Sequence, residues 1–248
     1  MNSLDEIAQL VRQCSDCELG LTRKNAVPGE GSSTAELMII GEGPGSQEDL
    51  TGRPFVGRAG QFLDELLGYI GLNRGDVFIA NMVKCRPPGN RDPLPAEVLA
   101  CDKYLERQIE LLNPALIVTL GRVSLARFFP GESMTQARGK VRNKDGRHIY
   151  PVMHPAAALY RQEVRPGIIE DFKAIPGVLE GIRNAGTTTT PVAVSPVAVS
   201  PALADEPSTE QQLSLGGISD ASPGPITESA VPGLTSEPPA EKQLSLFE

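Results

Sequence analysis

An α/β fold is predicted for residues 1–185, because four short apolar segments alternate with patterns that are typical of helices. Each apolar segment is rich in branched aliphatic residues, as expected of a strand that is buried on both faces of a sheet. These segments are residues 37–40, 77–83, 115–121 and 148–153. Since strands that alternate with helices form parallel sheets, the sequence predicts a three-layer sandwich with a central four-stranded parallel sheet.

Helices around this sheet are predicted from capping residues and from apolar residues at helical spacing. Ser3 or Asp5 can cap the first helix, which runs to Cys14, and Pro95 opens the longest one. The others are expected from Gly57 or Arg58 to Gly71, from the third strand to Phe129, and over residues 168–183. The carboxyl ends of the strands then lie along one edge of the sheet, which is the usual place of a ligand site in such folds.

The tail of the chain differs in composition from the first 185 residues. Residues 1–185 carry 22 of the 23 Lys and Arg and 23 of the 31 Asp and Glu, so the excess acidity lies in the tail. The tail is rich in Pro, Ser, Thr and Ala, and its only aromatic residue is Phe247. Such a composition buries too little apolar surface to offset the loss of chain entropy. We therefore expect a globular domain at 1–185, a disordered linker at 186–242 and a terminal peptide at 243–248.

Composition excludes some classes of protein and leaves others open. No run of 18 apolar residues occurs, and the N-terminus begins an amphipathic helix rather than a signal peptide. We therefore expect a soluble, cytoplasmic protein with no membrane partner. The near-neutral charge of residues 1–185 leaves nucleic-acid binding open. In a reducing compartment, the four cysteines favour metal ligation or burial over disulfides.

A glycine-rich turn, GEGPG, follows the first predicted strand from Gly41 to Gly45. Three glycines in five residues allow the backbone to approach a ligand closely and to present its N–H groups. The spacing differs from a dinucleotide-binding fingerprint, which would require glycine in place of Ser46, and no Gly-Lys-Ser/Thr of a phosphate-binding loop follows. The turn therefore indicates a ligand site of another kind.

The four cysteines are candidates for a metal site. Cys14 and Cys17 form a C-x-x-C pair, and Cys85 and Cys101 follow on separate predicted elements. Four thiolates suit a tetrahedral zinc ion, although zinc sites more often use two close pairs, and they also suit a [4Fe–4S] cluster. Spacing alone does not separate these two cofactors from each other or from four buried thiols.

Two polar residues near strand ends and one aromatic residue are candidates for ligand binding. Asn81 interrupts an apolar strand, where a buried amide is costly unless it pairs within the fold or with a ligand. His154 follows the last strand and precedes Pro155, so it is either a ligand-binding residue or an ordinary loop histidine. Phe55, beyond the glycine-rich turn, is either a core residue or a stacking platform.

Basic residues indicate a candidate surface for nucleic acid. Five basic residues and one acidic residue lie between Arg138 and Arg147. Together with Arg86 and Arg91, this run is either a solvated loop or a track for a phosphate backbone.

Four motifs together resemble the family 4 uracil-DNA glycosylases, which are iron–sulfur members of the uracil-DNA glycosylase superfamily. The motifs are GEGPGSQED, GRPFVGRAG, NMVKCRPPGNRDP and HPAAALYR, in this order, and the four cysteines accompany them. The resemblance implies a hydrolase of DNA base excision repair that flips uracil out of single- or double-stranded DNA and cleaves its N-glycosidic bond. It also implies a structural [4Fe–4S] cluster on Cys14, Cys17, Cys85 and Cys101.

The resemblance further implies how uracil is held. Phe55 would stack on the flipped ring, and the backbone of Gly41 to Gly43 would close over it. Asn81 would bind the edge that carries N3–H and O4, and so reject cytosine, whose amino group is a donor where an acceptor is needed. His154 would donate to O2, where negative charge develops as the base leaves.

One position departs from the first family of the superfamily. Those enzymes carry an aspartate that positions water or stabilises the sugar cation, and this chain has Gly43 at that position. The resemblance therefore leaves Glu42 as the expected catalytic carboxylate, with Glu48 or Asp49 sharing its work.

The resemblance also indicates which residues contact DNA. The wedge that replaces the flipped base is expected within residues 156–160, with Leu159 as the first choice. Arg86, Arg91 and Arg161 are the expected contacts to the phosphate backbone.

The end of the tail, QLSLF, resembles the peptide that binds the bacterial sliding clamp. An extended peptide with two leucines and an aromatic anchor suits such a pocket, and a disordered linker gives it reach. The clamp contacts implied are Gln243, Leu244, Leu246 and Phe247. We therefore expect a monomeric, nucleoid-associated bacterial enzyme. The alternatives are a catalytically inactive DNA-binding module of the same fold and a small-molecule or nucleotide hydrolase on the same sheet.

Overall fold

The computed structural model describes residues 1–187, with side chains through residue 185. The predicted clamp-binding residues, Gln243 to Phe247, lie outside the described residues, as does the predicted linker from residue 188 onward. Within the described part, no helix is long and apolar enough to cross a membrane.

One mixed sheet of six strands forms the centre of the fold, in the spatial order β1-β3-β2-β4-β6-β5. The strands are β1 (Glu30–Gly31), β2 (Leu37–Gly41), β3 (Phe78–Asn81), β4 (Leu116–Leu120), β5 (Arg142–Lys144) and β6 (Arg147–Val152). The four strands predicted from the sequence, β2, β3, β4 and β6, are mutually parallel and form the middle of the sheet. The prediction of a four-stranded parallel sheet is incomplete, because β1 and β5 add an antiparallel strand at each edge.

Both edge strands lack the apolar pattern that identifies the central ones. Strand β1 has only two residues, and Gly31, with a φ of 135°, is needed there because a Cβ would overlap the Val77 carbonyl. Strand β5 consists of Arg142, Asn143 and Lys144, which are mostly exposed. Charged side chains on an edge strand hinder further strand pairing, and they hide the strand from a search for apolar segments.

Helices cover both faces of the sheet and make three layers. They are α1 (Leu4–Gln13), α2 (Leu19–Thr22), α3 (Ser46–Thr51), α4 (Arg58–Gly68), α5 (Pro95–Leu112), α6 (Arg122–Phe128), α7 (Met134–Ala137), α8 (Ala157–Tyr160) and α9 (Arg165–Thr187), with 3₁₀ turns at Pro88–Asn90 and Gln162–Val164. Helices α4 and α9 pack on one face of the sheet, and α5 and α6 pack on the other. A third apolar cluster joins α1 to α5 beside the cysteines.

Strand β2 shows how the sequence places the ligand edge. All five of its residues are buried; Leu37 and Ile39 face α4 and α9, while Met38 and Ile40 face α5. Its last residue, Gly41, is in register with Asn81, the last residue of β3. We call the edge formed by the carboxyl ends of β2, β3, β4 and β6 the carboxyl edge; Gly121 and His154 also lie there.

The loop expected after the glycine-rich turn contains helix α3. Its N-cap is Gly45, and the carboxylate of Glu48 accepts a hydrogen bond from the Gly45 N–H at 3.1 Å, which is the half of a capping box that does not need an N-cap side chain. A six-residue helix is too short to show an apolar period, so the sequence pattern did not reveal it.

Candidate active site

Gly41, Asn81 and Phe55 converge at the carboxyl edge. A Cβ placed on Gly41 would overlap the Asn81 side-chain oxygen and would lie 2.6 Å from Cζ of Phe55. Only glycine therefore allows the strand end, the amide and the aromatic ring to approach one another. The next glycine of the turn, Gly43, is equally confined, since a Cβ there would lie 2.9 Å from Val83.

Phe55 has an uncommon backbone conformation. Its φ is 51°, in the left-handed region that non-glycine residues rarely adopt, and its side chain is buried. Gly60 of α4 makes room for it, because a Cβ at that position would overlap the Phe55 carbonyl. The Phe55 ring stacks against the His154 ring, with 5.7 Å between centroids and 27° between planes. The two rings therefore pack together at the carboxyl edge, and we refer to Gly41, Phe55, Asn81 and His154 together as the pocket.

Asn81 presents a hydrogen-bonding group that has no partner in the described fold. The residue is 1 % exposed, yet its Oδ1 accepts no hydrogen bond. In the described residues, the one other buried side-chain polar atom in this state is Thr119 Oγ1 of β4. A buried oxygen left unpaired lowers stability, so its presence at a ligand edge indicates a partner supplied by the ligand.

A buried lysine, Lys84, binds the backbone at the end of β3, where Asn81 lies. Lys84 is 1 % exposed and donates to the Asn81 carbonyl oxygen at 2.9 Å and to Gln108 Oε1 at 2.7 Å. Gln108 in turn donates to the Pro28 carbonyl oxygen at 2.8 Å. Burial lowers the pKa of Lys84 to about 8. This network fixes the Asn81 backbone and does not involve the Asn81 side chain.

His154 is held as a neutral donor. Its Nδ1 accepts a hydrogen bond from the Ala156 N–H at 3.1 Å, so the proton of the neutral ring lies on Nε2. Burial lowers the pKa of His154 to about 4, and the Glu48 carboxylate opposes this only partly. At neutral pH the residue can therefore donate one hydrogen bond from Nε2 without carrying a charge.

Two of the three carboxylates expected near the pocket serve as loop anchors. Glu48 accepts from the N–H groups of Val56 and Gly57 at 2.9 and 2.8 Å, in addition to that of Gly45. Asp49 is buried and accepts from the N–H groups of residues 24 and 25 at 2.9 and 3.3 Å. Glu48 therefore joins the glycine-rich turn to the segment after Phe55.

The third carboxylate, Glu42, interacts with a different set of residues. Burial and the neighbouring Asp92 carboxyl raise the pKa of Glu42, while Arg122 opposes the shift. Arg122 and Asp92 also form an ion pair with each other. Glu42 directly follows Gly41, but the groups that shift its pKa are Asp92 and Arg122, not Asn81, Phe55 or His154.

All four cysteines line one small cavity between α1, α5 and the segment after β3. The Arg23 guanidinium donates to Cys85 Sγ at 3.0 Å, and the Lys84 N–H donates to Cys101 Sγ at 3.2 Å. Burial raises the pKa of Cys101 to about 11 and also raises that of Cys85. As arranged, no group of three or more His, Cys, Asp or Glu within residues 1–187 could hold a metal ion.

The residues expected to contact DNA differ in how far they are already paired. Arg91 forms a two-point ion pair with Glu97 at 2.9 and 2.6 Å, which fixes the start of α5. Arg86 donates to the Asn90 side chain at 2.7 Å. The guanidinium of Arg161 is exposed and has no partner within residues 1–187. Leu159 is half-buried in α8, whereas the next residue, Tyr160, is 65 % exposed.

The basic run between residues 138 and 147 is largely neutralised by ion pairs. Arg138 pairs with Asp171 at 2.9 Å. Arg142 pairs with Glu132, and Arg147 pairs with Glu106. Residues 142–147 of the run lie in the β5–β6 hairpin, so this charge serves the edge of the sheet rather than an open phosphate track.

Two arginines near Phe55 were not identified from the sequence. Arg58 opens α4, is exposed, and has no side-chain partner among the described residues. A cation at a helix N-terminus opposes the helix dipole, so this placement of Arg58 is unfavourable for the helix. Arg74 donates to the Phe55 carbonyl oxygen at 2.9 Å. No local pattern links residues 19 positions apart, so this contact had no signal in the sequence.

Comparison with known proteins identifies the family. The uracil DNA glycosylase superfamily matches residues 28–173. Type-4 uracil-DNA glycosylases are similar to this chain over most of their length. The enzyme of Saccharolobus solfataricus is 50 % identical over 189 residues, which is 72 % of this chain and 88 % of the relative. The enzyme of Archaeoglobus fulgidus is 45 % identical over 184 residues (71 % and 92 %), and that of Thermotoga maritima is 44 % identical over 175 residues (68 % and 91 %).

The matched residues include Gly41, Phe55, Asn81 and His154, which all lie at the carboxyl edge. The chain therefore belongs to the uracil DNA glycosylase superfamily, and its similarity to the type-4 enzymes supports a DNA-repair hydrolase that acts on uracil in DNA.

Proposed function

We propose that this chain flips uracil out of DNA and hydrolyses its N-glycosidic bond at the carboxyl edge, leaving an abasic site. The observation that carries the proposal is the unpaired Oδ1 of Asn81, buried between Gly41 and Phe55. Uracil supplies the missing donor through N3–H, and its O4 accepts from the Asn81 amide nitrogen. Cytosine has no proton on N3 at neutral pH and presents an amino group in place of O4, so it leaves both groups of Asn81 unpaired.

Phe55 and His154 complete the binding of the base. The Phe55 ring is the surface on which the flipped uracil stacks, with the backbone of Gly41 to Gly43 closing over it. His154 donates from Nε2 to O2 of uracil. Because the imidazole is neutral, its hydrogen bond strengthens as O2 gains negative charge in the transition state.

Glu42 is the catalytic carboxylate in this proposal. It binds the attacking water, accepts its proton, or stabilises the positive charge on the sugar as the bond from C1′ to N1 breaks. The support is its place directly after Gly41 and its raised pKa, since a carboxylate of raised pKa is a stronger base. Water adds its hydroxyl to C1′ as the bond to N1 breaks and uracil leaves as an N1 anion, and the proton that Glu42 takes from the water then protonates uracil.

We propose that Cys14, Cys17, Cys85 and Cys101 hold a [4Fe–4S] cluster. The support is that all four thiols line one cavity, with N–H groups of Arg23 and Lys84 directed at two of the sulfurs. Four thiolates are the ligand set of such a cluster, so the chemistry of these four side chains would suit it. When bound, it supplies a structural cross-link between α1, α5 and the segment after β3, because the hydrolysis has no redox step.

DNA and clamp contacts follow from the exposed groups and from the tail. Arg86 and Arg161 contact phosphates, and Leu159 is the wedge, whereas Arg91 contributes through the loop that it fixes to Glu97. The terminal residues Gln243, Leu244, Leu246 and Phe247 bind the bacterial sliding clamp in this proposal. The enzyme acts as a monomer on nucleoid DNA in the bacterial cytoplasm.

Incubation with a labelled oligonucleotide that carries one uracil, followed by alkali, tests the activity. A cut at uracil that is absent with cytosine or thymine at the same position is expected. No cut by protein that is folded and binds the oligonucleotide would instead establish the alternative, a DNA-binding module without catalysis.

Removal of residues 243–248 tests the clamp peptide. It is expected to abolish clamp binding while leaving excision from short oligonucleotides unchanged, and retained clamp binding would refute the peptide assignment.

A further inference from the structure

We propose that Arg74 is a positioning residue that holds the Phe55 platform in its uncommon backbone conformation. This inference rests on the proposed function, in which Phe55 stacks on uracil. Arg74 lies between α4 and β3 and makes no hydrogen bond to Asn81 or His154, so it acts on the base only through Phe55.

Arg74 binds the carbonyl groups of the two peptide units that flank the Phe55 Cα. Its Nη1 donates to the Phe55 carbonyl oxygen at 2.9 Å, and its Nη2 donates to the Pro54 carbonyl oxygen. The guanidinium plane therefore spans two consecutive carbonyl groups, which fixes the rotation of the backbone at Phe55.

Carboxylates fix the guanidinium itself. The Glu30 carboxylate of β1 accepts from Nε at 3.0 Å and from Nη2 at 2.7 Å, and the Asp64 carboxylate of α4 accepts from Nη1 at 3.0 Å. Each of its three nitrogens thus makes at least one contact, and the side chain is only 20 % exposed. A guanidinium that is paired in this way is rigid enough to impose a conformation on another segment.

The backbone of Phe55 needs such support. A φ of 51° is rare for an aromatic residue and persists only when the surrounding structure enforces it. Gly60 provides space on one side of the Phe55 carbonyl, Arg74 binds that carbonyl, and Glu48 binds the following N–H of Val56 at 2.9 Å. Without Arg74, the Phe55 carbonyl loses this donor, and the Phe55 backbone can rotate so that the ring moves away from His154.

The variants Arg74→Met and Arg74→Lys test this inference in single-turnover excision of uracil. We expect Arg74→Met to slow excision by ~10- to 100-fold, because a small misplacement of a binding group has an effect of this order. Arg74→Lys, which keeps one charge but cannot span two carbonyls, should recover only part of the rate. The matched control is Arg53→Met, since Arg53 binds the same Glu30 at 2.8 and 3.1 Å but makes no hydrogen bond to Phe55 or Pro54.

A double-mutant cycle with Phe55→Ala separates positioning from a general loss of structure. If Arg74 acts through the ring, Arg74→Met should change the rate of the Phe55→Ala protein by less than about twofold. An equal loss in both backgrounds, or a loss of the same size in Arg53→Met, would overturn the inference. If Phe55→Ala alone left excision unchanged, the stacking role in the proposed function would fail instead. Should Arg74→Met not fold, the same cycle with Arg74→Lys decides the question.

Discussion

The pocket at the carboxyl edge and the β5–β6 hairpin are opposite in how their polar groups are paired. In the pocket, the buried Oδ1 of Asn81 has no partner in the described fold. In the hairpin, Arg142 and Arg147 are bound to carboxylates of the same chain. The hairpin carries more charged residues, but the unpaired hydrogen-bond acceptor lies in the pocket. Unpaired polar groups, rather than charge density, indicate the functional surface.

The comparison is tested most severely by Asn81→Asp. A carboxylate accepts from the amino group of cytosine, so we expect the preference for uracil over cytosine to fall by ~10²–10⁴-fold. Parallel excision assays on matched oligonucleotides measure the ratio. An unchanged ratio would mean that Asn81 does not select the base, and the unpaired oxygen would then have no functional meaning.

His154→Ala should slow uracil excision by ~10²–10³-fold, because it removes a donor to the developing charge on O2. The pH profile sharpens this assignment. The pKa of His154 is lowered to about 4, so the folded protein keeps the ring neutral where free histidine takes up a proton. Excision should therefore show no inflection due to this residue between about pH 5.5 and 8. An inflection near pH 6.5 that disappears in His154→Gln would contradict the structure.

The lowered pKa of His154 also makes the stability of the fold depend on pH. The unfolded chain binds the proton more strongly than the folded chain, so the free energy of unfolding falls as pH drops from 6.5 towards 4.

Glu42→Gln should slow excision by about 10²-fold if Glu42 is the base. Burial and Asp92 raise the pKa of Glu42, so the active carboxylate is lost as pH falls through a value above that of an ordinary glutamate. The wild-type rate should fall on this acidic limb, and Glu42→Gln should have a flat profile there. An acidic limb that is retained in Glu42→Gln would assign the titration to another group.

The smallest effects are expected from arginines on the surface. Here an arginine without a partner in the described fold, Arg161, is compared with one that is paired, Arg142. Arg161→Ala should raise the KM several-fold and lower the salt dependence of binding by about one phosphate contact. Arg142→Ala removes the same charge from a residue already paired with Glu132, so DNA affinity should change by less than about twofold. Equal effects of the two substitutions would show that pairing within the fold does not decide which arginines meet DNA.

The sequence predicted those parts of the fold that depend on local pattern. Four buried strands, the long helix from Pro95 and the meeting of Gly41 with Asn81 follow from apolar segments and from the geometry of parallel sheets. The edge strands escaped because β1 has two residues and β5 is charged. Contacts between distant positions could not be predicted either. The hydrogen bonds of Glu48 to Val56 and of Arg74 to Phe55 produce no repeating pattern in the sequence.

The structure gives the hydrogen-bonding state of Asn81 and His154, which their spacing in the sequence does not determine. Asn81 was interesting because an amide interrupts an apolar strand; its unpaired oxygen depends on Gly41 and Phe55, which approach it only in the folded chain. The tautomer of His154 depends on the Ala156 N–H, which is set by the turn after β6.

The unpaired oxygen of Asn81 also affects the thermal stability of the molecule. A buried acceptor without a donor costs on the order of 1–3 kcal/mol of folding free energy, which the empty enzyme bears continuously. Under the proposed function, a base that binds there supplies the donor and returns this free energy to the folded state, so we expect binding of uracil to raise the Tm. Under the proposed function, the substrate thus supplies the hydrogen bond that Asn81 Oδ1 lacks within the described residues.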